Sequence, residues 1–143
     1  MSSPATTARN TLIALLVTEF GPDNFVVRPD KLDKSLGFDG AVIGVYPVRE
    51  RPNSSDRLEL QTTVQVQLYG QWNPQTDPNE IVDPSTVEAW ANRFRTMIGS
   101  YTQTGTSQVW WFQLDEIVYE TDPTGNCTRF CATVLARGGN PAA

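Results

Sequence analysis

A chain of 143 residues, 39% of them apolar and 19% charged, holds enough sequence for one domain, and is too apolar for a disordered chain. It contains no histidine, two cysteines and a net charge of −5. This composition excludes the commonest general base, the Ser-His and Cys-His nucleophile systems, and zinc sites of the usual histidine and cysteine spacing.

The longest purely apolar run, Leu12 to Val17, is far short of the roughly 20 residues that span a bilayer. With no basic leader and no small-residue cleavage site, the chain is not expected to cross a membrane by the secretory route. Charge is unevenly placed. Residues 1–57 carry seven acids and seven bases, whereas residues 58–143 carry nine acids and only four bases, Arg93, Arg95, Arg129 and Arg137. Tight binding to a nucleic-acid backbone needs a basic patch, and the second part offers none.

In chain order, the spacing predicts a first helix over about 4–20. Ser3 stands as its cap, Pro4 takes the first helical position, and Leu12, Ile13, Leu16, Val17 and Phe20 form the buried stripe. Gly21-Pro22 ends it, the glycine as a left-handed cap. A short strand over 25–28 and a loop over 29–40 follow, then a strand over 41–48. The polar stretch RERPNSSDR (49–57) reads as the tip of a long hairpin or a flexible loop. LELQTTVQVQLY (58–69) is a strand of strict alternation, with one apolar face and one of uncharged amides and hydroxyls.

The turn-rich 73–84 leads into a second helix over about 85–98, with Val87, Trp90, Ala91, Phe94, Met97 and Ile98 facing the core. A closing hairpin pairs 107–121 with 127–137 across DPTGN, and 138–143 is expected to fray. The fold class expected is α+β: a single domain over 1–143, with a mostly antiparallel sheet of four to five strands. Two amphipathic helices pack on that sheet, and a long hairpin protrudes.

Catalytic chemistry is not visible. Asp115 and Glu116 are adjacent on a strand and are expected to face opposite ways. Asp77, Glu80 and Asp83 cluster before the second helix without the spacing of a calcium loop. No cofactor or metal is expected, and the chain does not read as an enzyme. Cys127 and Cys131, four apart on a strand, lie roughly 13 Å apart, too far for a disulfide. In VWWF (109–112), Trp110 and Phe112 share a face and are expected in the core. Trp111 points away and is free to anchor a protein partner.

The ending WWFQLDEIVYETDPTGNCTRFCATVLARG and the strand LELQTTVQVQLYG, placed before the second helix, resemble phage tail terminator proteins. The likeness lies in the order and size of elements along most of the chain. It implies a virion protein of the tail neck, assembled in the host cytoplasm. Six copies form a ring on the head-proximal end of the tail tube, stop the major tail tube protein from polymerising, and present a surface to the head–tail connector. DNA slides through the ring without specific binding. Such a ring needs two different patches on each subunit.

The interface expected from these readings comprises Arg49, Glu50, Arg51 and Arg57 at the hairpin tip, the amide face Gln61, Gln65, Gln67 and Tyr69, and Trp111. Asp77, Glu80 and Asp83 are the acids expected toward the lumen. A strand running over 58–71 would be about 45 Å long. The expected domain diameter is about 35–40 Å, so the tip would reach a neighbour. Two other readings stay open: another neck or connector protein, and a small cytosolic ligand-binding domain that uses the VWWF region and the acidic loop.

Overall fold

The computed structural model describes residues 3–32, 41–52, 58–70, 84–105, 107–121 and 127–140. Helix α1 spans Pro4–Phe20, strand β1 Val26–Arg28, β2 Val42–Pro52 and β3 Glu59–Tyr69. Helix α2 spans Pro84–Gly99, β4 Val109–Thr121 and β5 Cys127–Gly139. The strands form one five-stranded sheet in the order β1-β2-β3-β5-β4. It is mixed: β1 runs parallel to β2, and every other pair is antiparallel. A parallel neighbour needs a crossover connection where an antiparallel one can use a hairpin.

Helix α1 starts where its sequence says. The Ser3 Oγ accepts the Thr6 N–H at 3.2 Å, meeting one of the orphan donors of the first turn. Ala8, Leu12, Leu16 and Phe20, each four residues from the last, are its buried row. Val17, expected in that row, is 50% exposed. The end differs too. Gly21 is right-handed, with φ −55° and ψ −41°, and the chain tightens into a 3-10 turn over Gly21–Asp23. Asn24 takes the left-handed conformation instead, at φ 66°. Pro22 favours this outcome because its fixed φ suits the first turn of a new helical segment.

Helix α2 buries Val87, Ala91, Phe94, Met97 and Ile98, with Trp90 partly covered. Both helices lie on the face formed by Ile43, Val45, Val64, Val66, Leu68, Phe130, Ala132, Val134 and Ala136. Replacing a ring such as Phe94 by alanine in a core of this kind costs about 3–5 kcal/mol. Arg93 of α2 clasps α1: its Nε donates to Glu19 Oε1 at 3.0 Å and its Nη2 to the Glu19 carbonyl at 2.6 Å. Nη1 reaches Asp23, and the guanidinium stands 4.7 Å from the centre of the Phe20 ring. Burial works against the Arg93 charge, but the hydrogen bonds to Asp23 and Glu19 outweigh it and raise its pKa.

Strict alternation fails at four places. The register shifts by one residue at Val48 on β2, at Trp110 and Asp115 on β4, and between Glu120 and Thr121, where the extra residue is on β5. On β4 the helix face is therefore Val109, Phe112, Leu114, Ile117 and Tyr119, with steps of three, two, three and two. The expected pairing of Trp110 with Phe112 in the core is thus corrected: Trp110 is 39% exposed, and Val109 takes its place. Each bulge inserts a residue and resets which side chains face the core.

The end of β5 is also longer than expected. Gly138 and Gly139 pair with Leu60 and Glu59, and the Asn140 N–H donates to the Leu58 carbonyl at 2.8 Å. Gly138 is required there. A Cβ at that position would lie 1.8 Å from the Gln108 carbonyl oxygen, whereas one at Gly99 would meet nothing within 4 Å. Gly138→Ala is expected to destabilise the fold by about 1–3 kcal/mol or more in urea denaturation. Gly99→Ala is expected to stay within about 0.5 kcal/mol of the native chain.

Candidate functional site

The face of the sheet away from the helices holds the uncommitted polar chemistry. Reading across hydrogen-bonded neighbours, its rows are Val42–Tyr69–Arg129–Glu120, Gly44–Gln67–Cys131–Val118, Tyr46–Gln65–Thr133–Glu116, Arg49–Thr63–Leu135–Gln113 and Arg51–Gln61–Arg137–Trp111. β3 supplies the centre of every row, so its alternate residues decide what this face is made of.

The end nearest β1 is closed by the chain itself. Gln67 is 4% exposed; its Oε1 accepts the Leu32 N–H at 2.8 Å and its Nε2 donates to the Tyr69 hydroxyl at 3.4 Å. Leu32, Val42 and Tyr69 form a small second core. Gly44 makes room for this strap, because a Cβ there would lie 2.6 Å from Leu32 Cγ and 2.7 Å from the Asp30 carbonyl oxygen. The Arg129 guanidinium stacks 5.0 Å from the Tyr69 ring and donates to Glu120. Burial, with the negative charge of Glu120 next in effect, pushes the Tyr69 phenol well above its ordinary pKa; burial raises that of Tyr46 as well.

The middle and far rows are more open. Gln65 Nε2 donates to Thr133 Oγ1 at 2.9 Å, and the Cys131 Sγ donates to Gln65 Oε1 at 3.1 Å. At the far end Arg137 donates to Glu59 at 3.4 Å, and its guanidinium lies 4.6 Å from the Trp111 ring centre. Trp111 is 40% exposed.

The expected interface residues thus separate. Gln67 and Tyr69 are interior groups that fasten the chain to itself, and they offer no surface to a partner. The signal missing from the sequence is the donor that meets Gln67, the Leu32 N–H, 35 residues away. Gln61, Gln65 and Trp111 remain on the accessible part of the face. Arg49, Glu50 and Arg51 are exposed, but they are not a loop tip: they pair with Thr63, Thr62 and Gln61 inside the ladder. Arg57, Asp77, Glu80 and Asp83 lie outside the described residues. The bulge at Asp115 overrides the expected opposition of the two adjacent acids, and both Asp115 and Glu116 are exposed.

Among the described residues no group of three or more histidines, cysteines, aspartates or glutamates stands close enough to hold a metal ion. An open groove of ≈ 500 Å³ runs between the helices, lined by Leu15, Thr18, Glu19, Arg93, Met97 and Tyr101 among others. Its one cation, Arg93, is already bound to Glu19 and Asp23. No described helix is long and apolar enough to cross a membrane. Compared with protein-family models and with curated proteins, the sequence matches none.

Two outcomes test this description. Gln67→Ala strands the buried Leu32 N–H and is expected to lower stability by about 1–3 kcal/mol, with Gln65→Ala costing less because Gln65 is only half-buried. The raised pKa of Tyr69 and of Tyr46 means that the folded state favours the neutral phenols. Their contribution is complete below the unfolded-state pKa of about 10 and is lost as pH rises beyond it. Chemical denaturation across about pH 8 to 11 is expected to show stability falling above about pH 10, with a shallower fall in Tyr69→Phe.

Proposed function

We propose that this chain is a structural ring protein of a long-tailed phage, of the tail terminator kind. In this reading, six copies cap the head-proximal end of the tail tube, end polymerisation of the major tail tube protein and present the joint for the head–tail connector. DNA passes through the ring, and the acidic bias of residues 58–143 keeps it from sticking.

One observation carries the reading. The half-strand from Val48 to Pro52 is exposed along its whole length, although Arg49 to Pro52 each pair with a residue of β3. β1 pairs with β2 only from Val42 to Gly44, and no other described strand pairs with the rest of that edge. We take this exposed, charged strand edge, held in its ladder, as the surface offered to protein. A mobile loop would lose more entropy on docking. The order of elements, with two helices on one sheet face and a long hairpin, supports the resemblance noted in the sequence. A small-molecule site draws no comparable support: Phe112 of the VWWF stretch is in the core, and the inter-helix groove has its charge neutralised.

The test is tube length. Added to the polymerising major tail tube protein of the same phage, the native chain is expected to shorten the tubes and to decorate one end in electron micrographs. Arg49→Ala, Arg51→Ala and Arg57→Ala combined is expected to remove this effect while leaving the circular dichroism spectrum unchanged. Tubes that grow equally long with and without the native chain would overturn the reading.

A further inference from the structure

Among the described residues of the sheet, charges away from the β2 and β4 edges are paired within the chain. Arg28 meets Asp30, Arg129 meets Glu120 and Arg137 meets Glu59. Among the described residues, by contrast, Arg49 and Arg51 on β2 have no acid partner. Neither has Lys31, whose ammonium stands 6.0 Å from the Tyr46 ring on the same edge. At the opposite edge, Asp115 and Glu116 on β4 are exposed and have no basic partner among the described residues. On the sheet face away from the helices, the charges left uncompensated among the described residues are therefore cationic at the β2 edge and anionic at the β4 edge, while Glu50 of β2 lies on the helix face.

Their heights overlap, with Arg49 one row from Glu116 and Arg51 two rows from it, beside Trp111. Glu116 lies in the row of Tyr46, through Thr133 and Gln65, and Gln113 lies in the row of Arg49. Asp115, the bulged residue, falls between these two rows. The strand directions match as well. Three antiparallel steps separate β2 from β4, so the two edges run in opposite senses. A second copy brought alongside by rotation about an axis along the strands, with no inversion, sets its β4 antiparallel to the first copy's β2.

We propose that β4 of one copy docks on the Val45–Pro52 half of β2 of the next, with Asp115 and Glu116 facing Lys31, Arg49 and Arg51. The occupant of each edge is thus a second copy of this chain. The inference deepens the ring reading above and rests on it for its setting. It adds β4 as the patch complementary to the arginines. Because the two patches differ, each docked copy leaves one edge open for another, and the series ends only by closing.

About 27 Å of β2 edge is available. The exposed Val48 there, and Trp110, Trp111 and Val118 on β4, supply apolar contact beside the charges. A continuous backbone ladder is not what holds the copies together. Pro47 and Pro52 lack an N–H, and the bulges at Trp110 and Asp115 interrupt β4, so side chains must specify the contact. The same devices keep bare edges from pairing with unrelated strands. Two neighbouring charges do not reverse the pattern. Glu50 alternates to the helix face opposite Thr62, and Arg95 of α2 reaches β4 only at Tyr119, toward its other end.

The experiment is a charge exchange on the full chain, read by sedimentation at low salt. The native chain is expected to self-associate, about tenfold or more weakly in 0.5 M than in 0.05 M salt. R49E/R51E and D115R/E116R are each expected to weaken association by about tenfold or more. An equimolar mixture of the two, in which every contact again joins opposite charges, is expected to regain it, as is the quadruple variant. The proposal is overturned by a native chain that stays monomeric in low salt, by folded single-edge variants that associate as the native does, or by a mixture that fails to recover. Charge rescue in a chain that ignores tail tubes would leave edge docking standing and remove the tail terminator reading. Tube capping by a strictly monomeric chain would do the reverse.

Discussion

A one-residue slip of β3 against either neighbour would turn Val64, Val66 and Leu68 away from the helices and push Gln65 and Gln67 toward them. That register constraint governs the rest of the molecule. β3 is the middle strand, flanked on both sides along its full length, so its two parities define both faces of the sheet. On one face they anchor the core that both helices cover. On the other they set a line of amides and hydroxyls whose bonding is completed across strands by Thr133, Cys131, Tyr69 and the Leu32 backbone. Burying polar groups in this way is tolerable only because each finds a partner.

The elements were legible in the sequence where one local period ran uninterrupted. Ser3-Pro4 marked the start of α1, the apolar row of α2 showed at its true spacing, and the alternation of β3 showed its core face correctly. Legibility failed where a local rule was overridden by something distant. The bulges at Val48, Trp110 and Asp115 answer to the pairing of β2 with β3 and of β4 with β5, which no window on a single strand contains. Trp110 departs from the expected alternation for that reason. Residues 49–52 read as a hairpin tip or loop because charge and proline are poor strand formers, yet an edge strand admits both.

The candidate site was legible as residue types and much less so as an arrangement. Gln67 and Tyr69 stand in the alternating pattern of the accessible amides, and only the strap at Leu32, with Gly44 leaving room for it, turns them into interior groups. Arginine is the clearest case of arrangement deciding meaning. Arg129 and Arg137 are absorbed by Glu120 and Glu59 from neighbouring strands, and Arg93 by Glu19 and Asp23 from the other helix. Subtracting these pairs leaves a short list of charges for an outside partner. Those that remain on the sheet face away from the helices are Arg49 and Arg51 at one long edge and Asp115 and Glu116 at the other, with Glu50 turned to the helix face.

The sheet thus pairs its interior charges within the chain, and in the proposed ring its edges would carry the association. Cryo-electron microscopy of the chain added to the tail tube of the proposed phage tests this most directly. The account predicts a closed ring in which β4 of each subunit lies beside β2 of the next, with Asp115 and Glu116 against Arg49 and Arg51. A ring whose subunits meet through the helices while both sheet edges face solvent, or a tube end carrying no ring of this chain, would contradict it.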